Sequence, residues 1–342
     1  MTAASVRSGL RVGLTFDLAG ERPLGASDPY DRDAEHDAPA TIDAIACAVG
    51  QLGHEVVRIG DLRALSRRLA VGALDADVVF NVAEGSRGLA REAQVPVLLE
   101  AFGVAYSGSD PVALAVGLDK GLCKRLWAQA GLPTAPFAVL AVESDVAALA
   151  WERYPAFLKP LAEGSSMGVE AGSRVEDQAA LVARARRLWR AYRQPVLLEP
   201  YLPGPEFTVA VLERRGVPSV LGMLQTGASG VVRLQRDKRS SLSGVVAPPF
   251  VPVEDRLREA ELAALALRAY RVLGARDFAR IDLRCDAVGA VQLLEINMLP
   301  GLVPGRSPFP LIAEAAGLAY PDVIAAMLDG ALRRRAGTEE TP

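Results

Sequence analysis

The chain has 342 residues, half of them apolar and 23% charged, with a formal net charge of −3. That length exceeds one ordinary core and predicts two or three domains, while the near-neutral balance argues against nucleic acid or a membrane as partner. No apolar run approaches the length of a bilayer span and the first ten residues lack the apolar core of a signal peptide, so a cytoplasmic protein is expected.

Strands at 11–16, 55–59 and 78–82 alternate with helices at 39–52, 61–69 and 92–102, which predicts a parallel sheet covered by helices. Residues 17–38 form a polar loop ending in Tyr30-Asp-Arg-Asp-Ala-Glu-His-Asp37. It follows a strand's carboxyl end, where open α/β sheets bind ligands, and a plain solvated loop fits it equally. A long helix at 110–130 stops at Gly131-Leu-Pro. A strand at 137–142, a helix at 145–153 and a strand at 156–159 lead into Glu163-Gly-Ser-Ser-Met-Gly168. Then come a helix at 175–192, a strand at 196–199, strands at 207–213 and 217–225, an irregular stretch at 226–249 and a helix at 254–273. Helices at 309–316 and 321–334 end the pattern.

Before them, two period-2 runs, 281–285 and 291–298, flank the turn-rich Asp286-Ala-Val-Gly289 and read as a hairpin. A turn centred between Val288 and Gly289 sets Asp282 across from Glu295 and Arg280 across from Asn297. Asp282, Glu295 and Asn297 then share one face with Val291 and Leu293, while Leu294, Ile296 and Met298 fill the other. Two opposed carboxylates repel unless a cation intervenes, and hard oxygen ligands from Asp, Glu and Asn suit Mg²⁺. The alternative is a solvated hairpin in which Arg280 and Arg284 neutralise the acids.

Lysine is scarce: four (Lys120, Lys124, Lys159, Lys238) stand against thirty-four arginines. A position that keeps Lys is therefore a candidate for needing a compact ammonium. The loop after Lys159 has the glycines and hydroxyls to close backbone N–H groups over a polyanion, but it lacks a Gly-Lys-Ser/Thr signature, and a bare turn remains the alternative. Three cysteines (Cys47, Cys123, Cys285), each in an apolar segment, are expected to be buried, reduced thiols. Two histidines, His36 and His54, argue against a histidine triad or zinc site.

The ordered set Lys120, Lys159, the Gly-Ser loop, Glu199, Glu206, Asp282, Glu295 and Asn297 resembles the ATP-grasp superfamily, and within it the D-alanine:D-alanine ligases. Supporting segments are Val79-Phe-Asn-Val-Ala-Glu-Gly85, Tyr106-Ser-Gly-Ser109, Leu118-Asp-Lys120, Pro203-Gly-Pro-Glu-Phe-Thr208, Arg280-Ile-Asp282 and Leu294-Glu-Ile-Asn-Met-Leu-Pro-Gly301. The resemblance implies an α/β ATP-grasp fold of three domains: an N-terminal parallel α/β domain (1–109), a small central lid (110–194) and a C-terminal antiparallel-sheet, metal-binding domain (195–342). It implies that Lys120, Lys159 and the loop residues Glu163, Gly164, Ser165 and Ser166 serve the ATP phosphates, Ser165 belonging to a catalytic lid. Glu199, Pro200, Tyr201 and Leu202 would read adenine and Glu206 the ribose, with Asp282, Glu295 and Asn297 holding two Mg²⁺, or Mn²⁺ in their place. Arg280 and the Gly301 backbone would stabilise an oxyanion, and Lys238 would assist from the 226–249 loop. A homodimer is implied as well.

The likeness thins on the amino-acid side. Glu35 loosely matches the family's amine-binding Glu, Glu84-Gly85 replaces a His-Gly, and Arg306 follows Pro-Gly where Ser-Leu is expected. Arg87, Arg91 and Arg306 are further candidates for binding carboxylates, or plain surface cations. The expected activity is an ATP-dependent carboxylate–amine ligase acting on small amino-acid substrates through an acyl phosphate. The alternatives are a ligase for another amino acid or small peptide in specialised metabolism, an inactive ATP-binding partner, or a phosphotransferase that stops at the phosphorylated acid.

Overall fold

A computed structural model describes residues 9–21, 23, 25, 28–226 and 250–337. Its strands form three sheets. In the first, β1 (Arg11–Thr15), β2 (Glu55–Gly60) and β3 (Val78–Asn81) pair in parallel in the order β2-β1-β3. They alternate with α1 (Pro39–Gln51), α2 (Leu62–Ala70) and α3 (Gln94–Ala101), as the sequence pattern requires. Helix α1 turns Ile42, Ile45, Ala48 and Val49 inward, which leaves Cys47 exposed; the buried thiols are Cys123 and Cys285.

The helix expected at 110–130 is two helices, α4 (Pro111–Leu118) and α5 (Lys120–Gln129). Asp119 leaves helical geometry, and its carboxylate caps α5 by accepting from the Leu122 N–H at 2.9 Å. The break sets Lys120 at the first turn of α5, where its ammonium donates to the Glu163 carbonyl.

The middle sheet is antiparallel, with β4 (Ala138–Leu140), β7 (Val196–Pro200), β5 (Ala156–Pro160) and β6 (Arg174–Val175) in that order. Helix α6 (Glu143–Ala148) ends earlier than expected because Leu149 turns extended. Helix α7 (Gln178–Tyr192) starts later than expected because Arg174–Val175 pairs with β5 and Asp177 caps the helix at the Ala180 N–H. Leu181, Ala185 and Leu188 of α7 pack on Leu158 and Leu198 of the sheet.

The largest sheet runs β10 (Phe250–Pro252), β9 (Val217–Thr226), β8 (Glu206–Arg214), β11 (Phe278–Cys285) and β12 (Val291–Asn297), every neighbour antiparallel. One face packs on α4, α5 and α8 (Arg256–Val272) through Leu114, Trp127, Ala266, Tyr270, Ile281 and Leu283. The other packs on α9 (Pro308–Ala315) and α10 (Tyr320–Arg335) through Ala210, Leu212, Phe278, Phe309, Ile324 and Met327, and α1 packs on α10 beyond it. Each Leu, Ile, Phe or Met among them contributes about 1.5–3 kcal/mol relative to an exposed one. Among the described residues, no single helix is long and apolar enough to cross a membrane.

The β11–β12 hairpin pairs Asp282 with Glu295 and Arg280 with Asn297, and the Asp286 carboxylate organises its turn by accepting from the Val288 and Ala290 N–H groups. A bulge between Asp282 and Leu283 then shifts the register, so that Leu283 faces Leu293. The extra residue reverses the side-chain alternation. Val291 and Leu293 therefore join Ile296 and Met298 in the core, and Leu294 lines the cleft with Glu295; the face assignment read from a strict period of two is corrected accordingly.

Candidate active site

A cleft of about 820 Å³, its open mouth included, is lined by the middle and largest sheets together. From α5, β5, β7 and the glycine loop come Lys120, Lys159, Glu163, Ser166, Glu199, Pro200, Tyr201 and Leu202. From the large sheet come Glu206, Asp282, Arg284, Leu294 and Glu295.

Glu199, only 4% exposed, is the centre of the charged floor. One oxygen lies 2.5 Å from Lys124 Nζ and the other 3.3 Å from Lys159 Nζ. Burial pushes the carboxyl up, but the two ammonium groups win and hold it below the usual range. Lys159 is raised, since attraction to Glu199 and Glu295 outweighs its burial, whereas burial prevails at Lys124 and lowers it. Lys124 also donates to Thr134 Oγ1 at 2.7 Å. The sequence reading assigned Lys124 no role, although lysine scarcity and its position one helical turn beyond Lys120 were available signals.

At the opposite wall, Asp282 is held on several sides. Arg280 grips it through Nη2 at 2.8 Å and Nε at 3.0 Å, Thr208 Oγ1 donates at 2.7 Å, and Asn297 Nδ2 donates at 3.1 Å. Glu295 stands beside it on β12, 3.5 Å from Lys120 Nζ. Two carboxylates and an amide thus converge from adjacent strands, with Arg280 supplying part of the neutralising charge. Arg284 supplies another part, to Glu206 at 2.9 Å. The competing sequence reading was a solvated hairpin whose acids Arg280 and Arg284 neutralise; Arg280 does pair with Asp282, whereas Arg284 pairs with Glu206 of β8, and the wall is partly buried.

The loop over the cleft has Ser165 and Ser166 in left-handed conformation (φ 47° and 59°), which costs each non-glycine residue about 1–2 kcal/mol. Segment 30–37 holds it down. The Gly164 N–H donates to Glu35, and the Gly168 N–H donates to Asp31 Oδ2 at 2.9 Å, where Tyr192 Oη also binds. A Cβ on Gly168 would meet Pro160 at 2.7 Å, so this position needs glycine. Arg91, buried beneath, donates to Glu35 at 2.5 Å, Glu163 at 3.0 Å and the Ala162 carbonyl at 2.8 Å.

Glu35 is thus occupied by Arg91 and the Gly164 backbone rather than presented alone to a substrate amine. Arg91 binds carboxylates, as one reading of it held, but they are the protein's own. Burial raises Glu92 and Glu163 to about 7 against the counter-pull of Arg91, and raises Glu84 well above the carboxylate range with Glu92 adding to the effect. Gly301 and Arg306 are exposed beyond β12 and stand outside the lining of the cleft. Lys238 lies outside the described residues.

Residues 126–329 match the family model described as "D-ala D-ala ligase C-terminus". The D-alanine–D-alanine ligase of Desulforudis audaxviator is 36% identical over 286 residues, 82% of this chain and 89% of the relative. That of Moorella thermoacetica is 35% identical over 298 residues, 84% and 92% of the two chains. The crystal structure of the Bacillus anthracis D-alanine–D-alanine ligase complexed with ATP superimposes with a TM-score of 0.72 at 20% identity, covering 96% of this chain and all of that one, and shares its ATP-grasp fold. By the family model and these relatives, the chain belongs to the D-alanine–D-alanine ligase family.

Proposed function

We propose that this protein is an ATP-dependent carboxylate–amine ligase that forms a peptide-type bond between small amino-acid substrates. The observation that carries the reading is the single cleft in which Lys120, Lys159, Glu199, Glu206, Asp282 and Glu295 meet. A carboxylate oxygen of the first substrate attacks the γ-phosphorus of ATP and ADP leaves, giving an acyl phosphate. The amine of the second substrate then attacks the acyl carbon, and phosphate leaves with the bonding electron pair. The amine's surplus proton passes to solvent.

Both steps gather negative charge, and positioned cations lower their barriers more than a nucleophile would. Lys120 and Lys159 bind the phosphate tail from the middle-sheet side. Ser165 and Ser166 close over it and exclude water, with Glu163 and Gly164 forming the base of the same loop. Glu199, Pro200, Tyr201 and Leu202 line the base site and Glu206 the ribose site. Arg280 and the Gly301 N–H face the developing oxyanion, and Lys238 belongs to the same catalytic set. The oxygens of Asp282, Glu295 and Asn297 fit Mg²⁺ as a hard donor set on one ribbon, and Mn²⁺ suits the same oxygens. Bound there, Mg²⁺ would neutralise triphosphate charge and orient the leaving group.

The acid and amine sites lie toward Glu35, Glu84 and Arg306, where the chain departs from the family pattern, so a small amino acid or peptide other than D-alanine is part of the proposal. The division at 109/110 and 194/195, a homodimer and a cytoplasmic location belong to the same reading, supported by family membership. Purified protein with ATP, Mg²⁺ and a panel of D- and L-amino acids and short peptides is expected to release phosphate and a coupled product, with at least one pair. ADP release with no coupled product from any pair would contradict the reading.

A further inference from the structure

Arg284 is on β11 two residues beyond Asp282, and it lines the same cleft. Only 5% of it is exposed. Its Nε donates to the Leu202 carbonyl at 2.7 Å and its Nη1 to Glu206 Oε2 at 2.9 Å. The guanidinium also stands 5.8 Å from the centre of the Tyr201 ring. These contacts fix the plane of a rigid fork, so the direction of the remaining donor is fixed too. That donor, Nη2, is buried and has no hydrogen-bond partner among the described residues. A buried guanidinium nitrogen without an acceptor is costly, and such an atom in the wall of a binding cleft is accounted for by an acceptor that arrives with the ligand.

We propose that Arg284 determines sugar specificity: Nη2 donates to a ribose hydroxyl oxygen of the bound nucleotide while that sugar's hydroxyl donates to Glu206. The assignment rests on the ATP-dependent reading above and adds to it a residue for which that reading gives no role. The chemistry is complementary in both directions. A carboxylate only accepts and a guanidinium only donates, whereas a hydroxyl does both. An ion pair with one side turned to the cleft therefore matches a vicinal diol better than it matches a bare ring edge. The phosphate end is served elsewhere, since Lys120 and Lys159 stand beside Glu295 and Glu199. In an arginine-rich chain nothing at the sequence level separates Arg284 from its neighbours.

The test is equilibrium binding of ATP, 2′-deoxy-ATP and 3′-deoxy-ATP, each with Mg²⁺, to the full chain and to its Arg284→Met and Arg284→Lys variants by calorimetry. The wild-type chain is expected to bind at least one deoxy analogue about 10–100-fold more weakly than ATP. Arg284→Met is expected to lose about 10-fold in ATP affinity and to bind ATP and that analogue within about twofold of each other. Arg284→Lys, which keeps the charge but not the fork, is expected to lose the discrimination as well. Wild-type binding of all three nucleotides within about twofold would overturn the assignment even if both variants failed to fold. Retention of the wild-type ratio by Arg284→Met would also overturn it, and would point to a base-edge acceptor. A wild-type chain that bound no ATP would overturn the ligase reading itself, and this assignment with it.

Discussion

Lys159→Ala is expected to lower ATP-dependent phosphate release by about 10²–10³-fold, the usual cost of removing one pre-positioned donor from a phosphoryl-transfer site. Lys159 is partly buried on β5 and set toward Glu199, with Glu295 and Glu206 adding to the field that keeps it charged. A fixed ammonium at the cleft wall needs no reorganisation when charge develops on the transferring phosphoryl group. Lys159→Arg should restore little of the rate, because a bulkier planar fork does not reproduce a compact point charge. The fold should survive the alanine variant, since Glu199 keeps Lys124 at 2.5 Å. Single-turnover phosphate release with a parallel melting curve separates the two effects. Full activity in Lys159→Ala would remove the lysine from the site.

Lys124→Met should do the reverse, destabilising the chain strongly. Lys124 is fully buried and is the nearer cation to Glu199. Taking away one member of a buried pair leaves the other uncompensated, at a cost of about 3–5 kcal/mol. Lys159 at 3.3 Å offsets only part of this. The midpoint of denaturant unfolding should fall at constant slope, and the double variant Lys124→Met with Glu199→Leu should recover part of the loss, because the orphaned charge goes with it. An unchanged midpoint in Lys124→Met would show that the pair contributes nothing to the fold.

The parts of the site carried by local pattern were legible before any coordinates. Hairpin register depends on turn position and alternation, both written in 281–298, and the opposition of Asp282 to Glu295 follows from them. The bulge that leaves Leu294 unpaired did not show, since an extra leucine beside Leu293 leaves an apolar run apolar. Asp119 was likewise hidden inside an apolar helical stretch, although it sets the direction of Lys120. Contacts of long sequence separation were the least legible. Arg91 on Glu35 and Glu163, Asp31 on Gly168, and Arg334 on Asp277 at 2.6 Å each join elements that sequence spacing does not connect. Cys47 shows the same limit on a smaller scale: apolar neighbours on a helix do not say which way one residue between them points.

The end proposed for the amino-acid substrates was hard to read for a different reason. Glu35 and Glu163 share Arg91, and burial drives Glu92 and Glu163 to about 7, so the charge of this corner is not fixed by side-chain type alone. The end proposed for the nucleotide has no such ambiguity, because its charges are paired as Lys124 and Lys159 on Glu199, Arg280 on Asp282 and Arg284 on Glu206.

The central claim is that the C-terminal β-ribbon holds divalent cation against a triphosphate lying along the cleft. Its most direct test is a crystal structure of the complex with Mn²⁺ and a non-hydrolysable ATP analogue, read by manganese anomalous scattering. Anomalous peaks are expected within about 2.0–2.6 Å of Asp282, Glu295 and Asn297 oxygens, with the analogue's phosphates between them and Lys159. Peaks or phosphates lying away from this ribbon, with Asp282 and Glu295 still turned to Arg280 and Lys120 alone, would contradict the account.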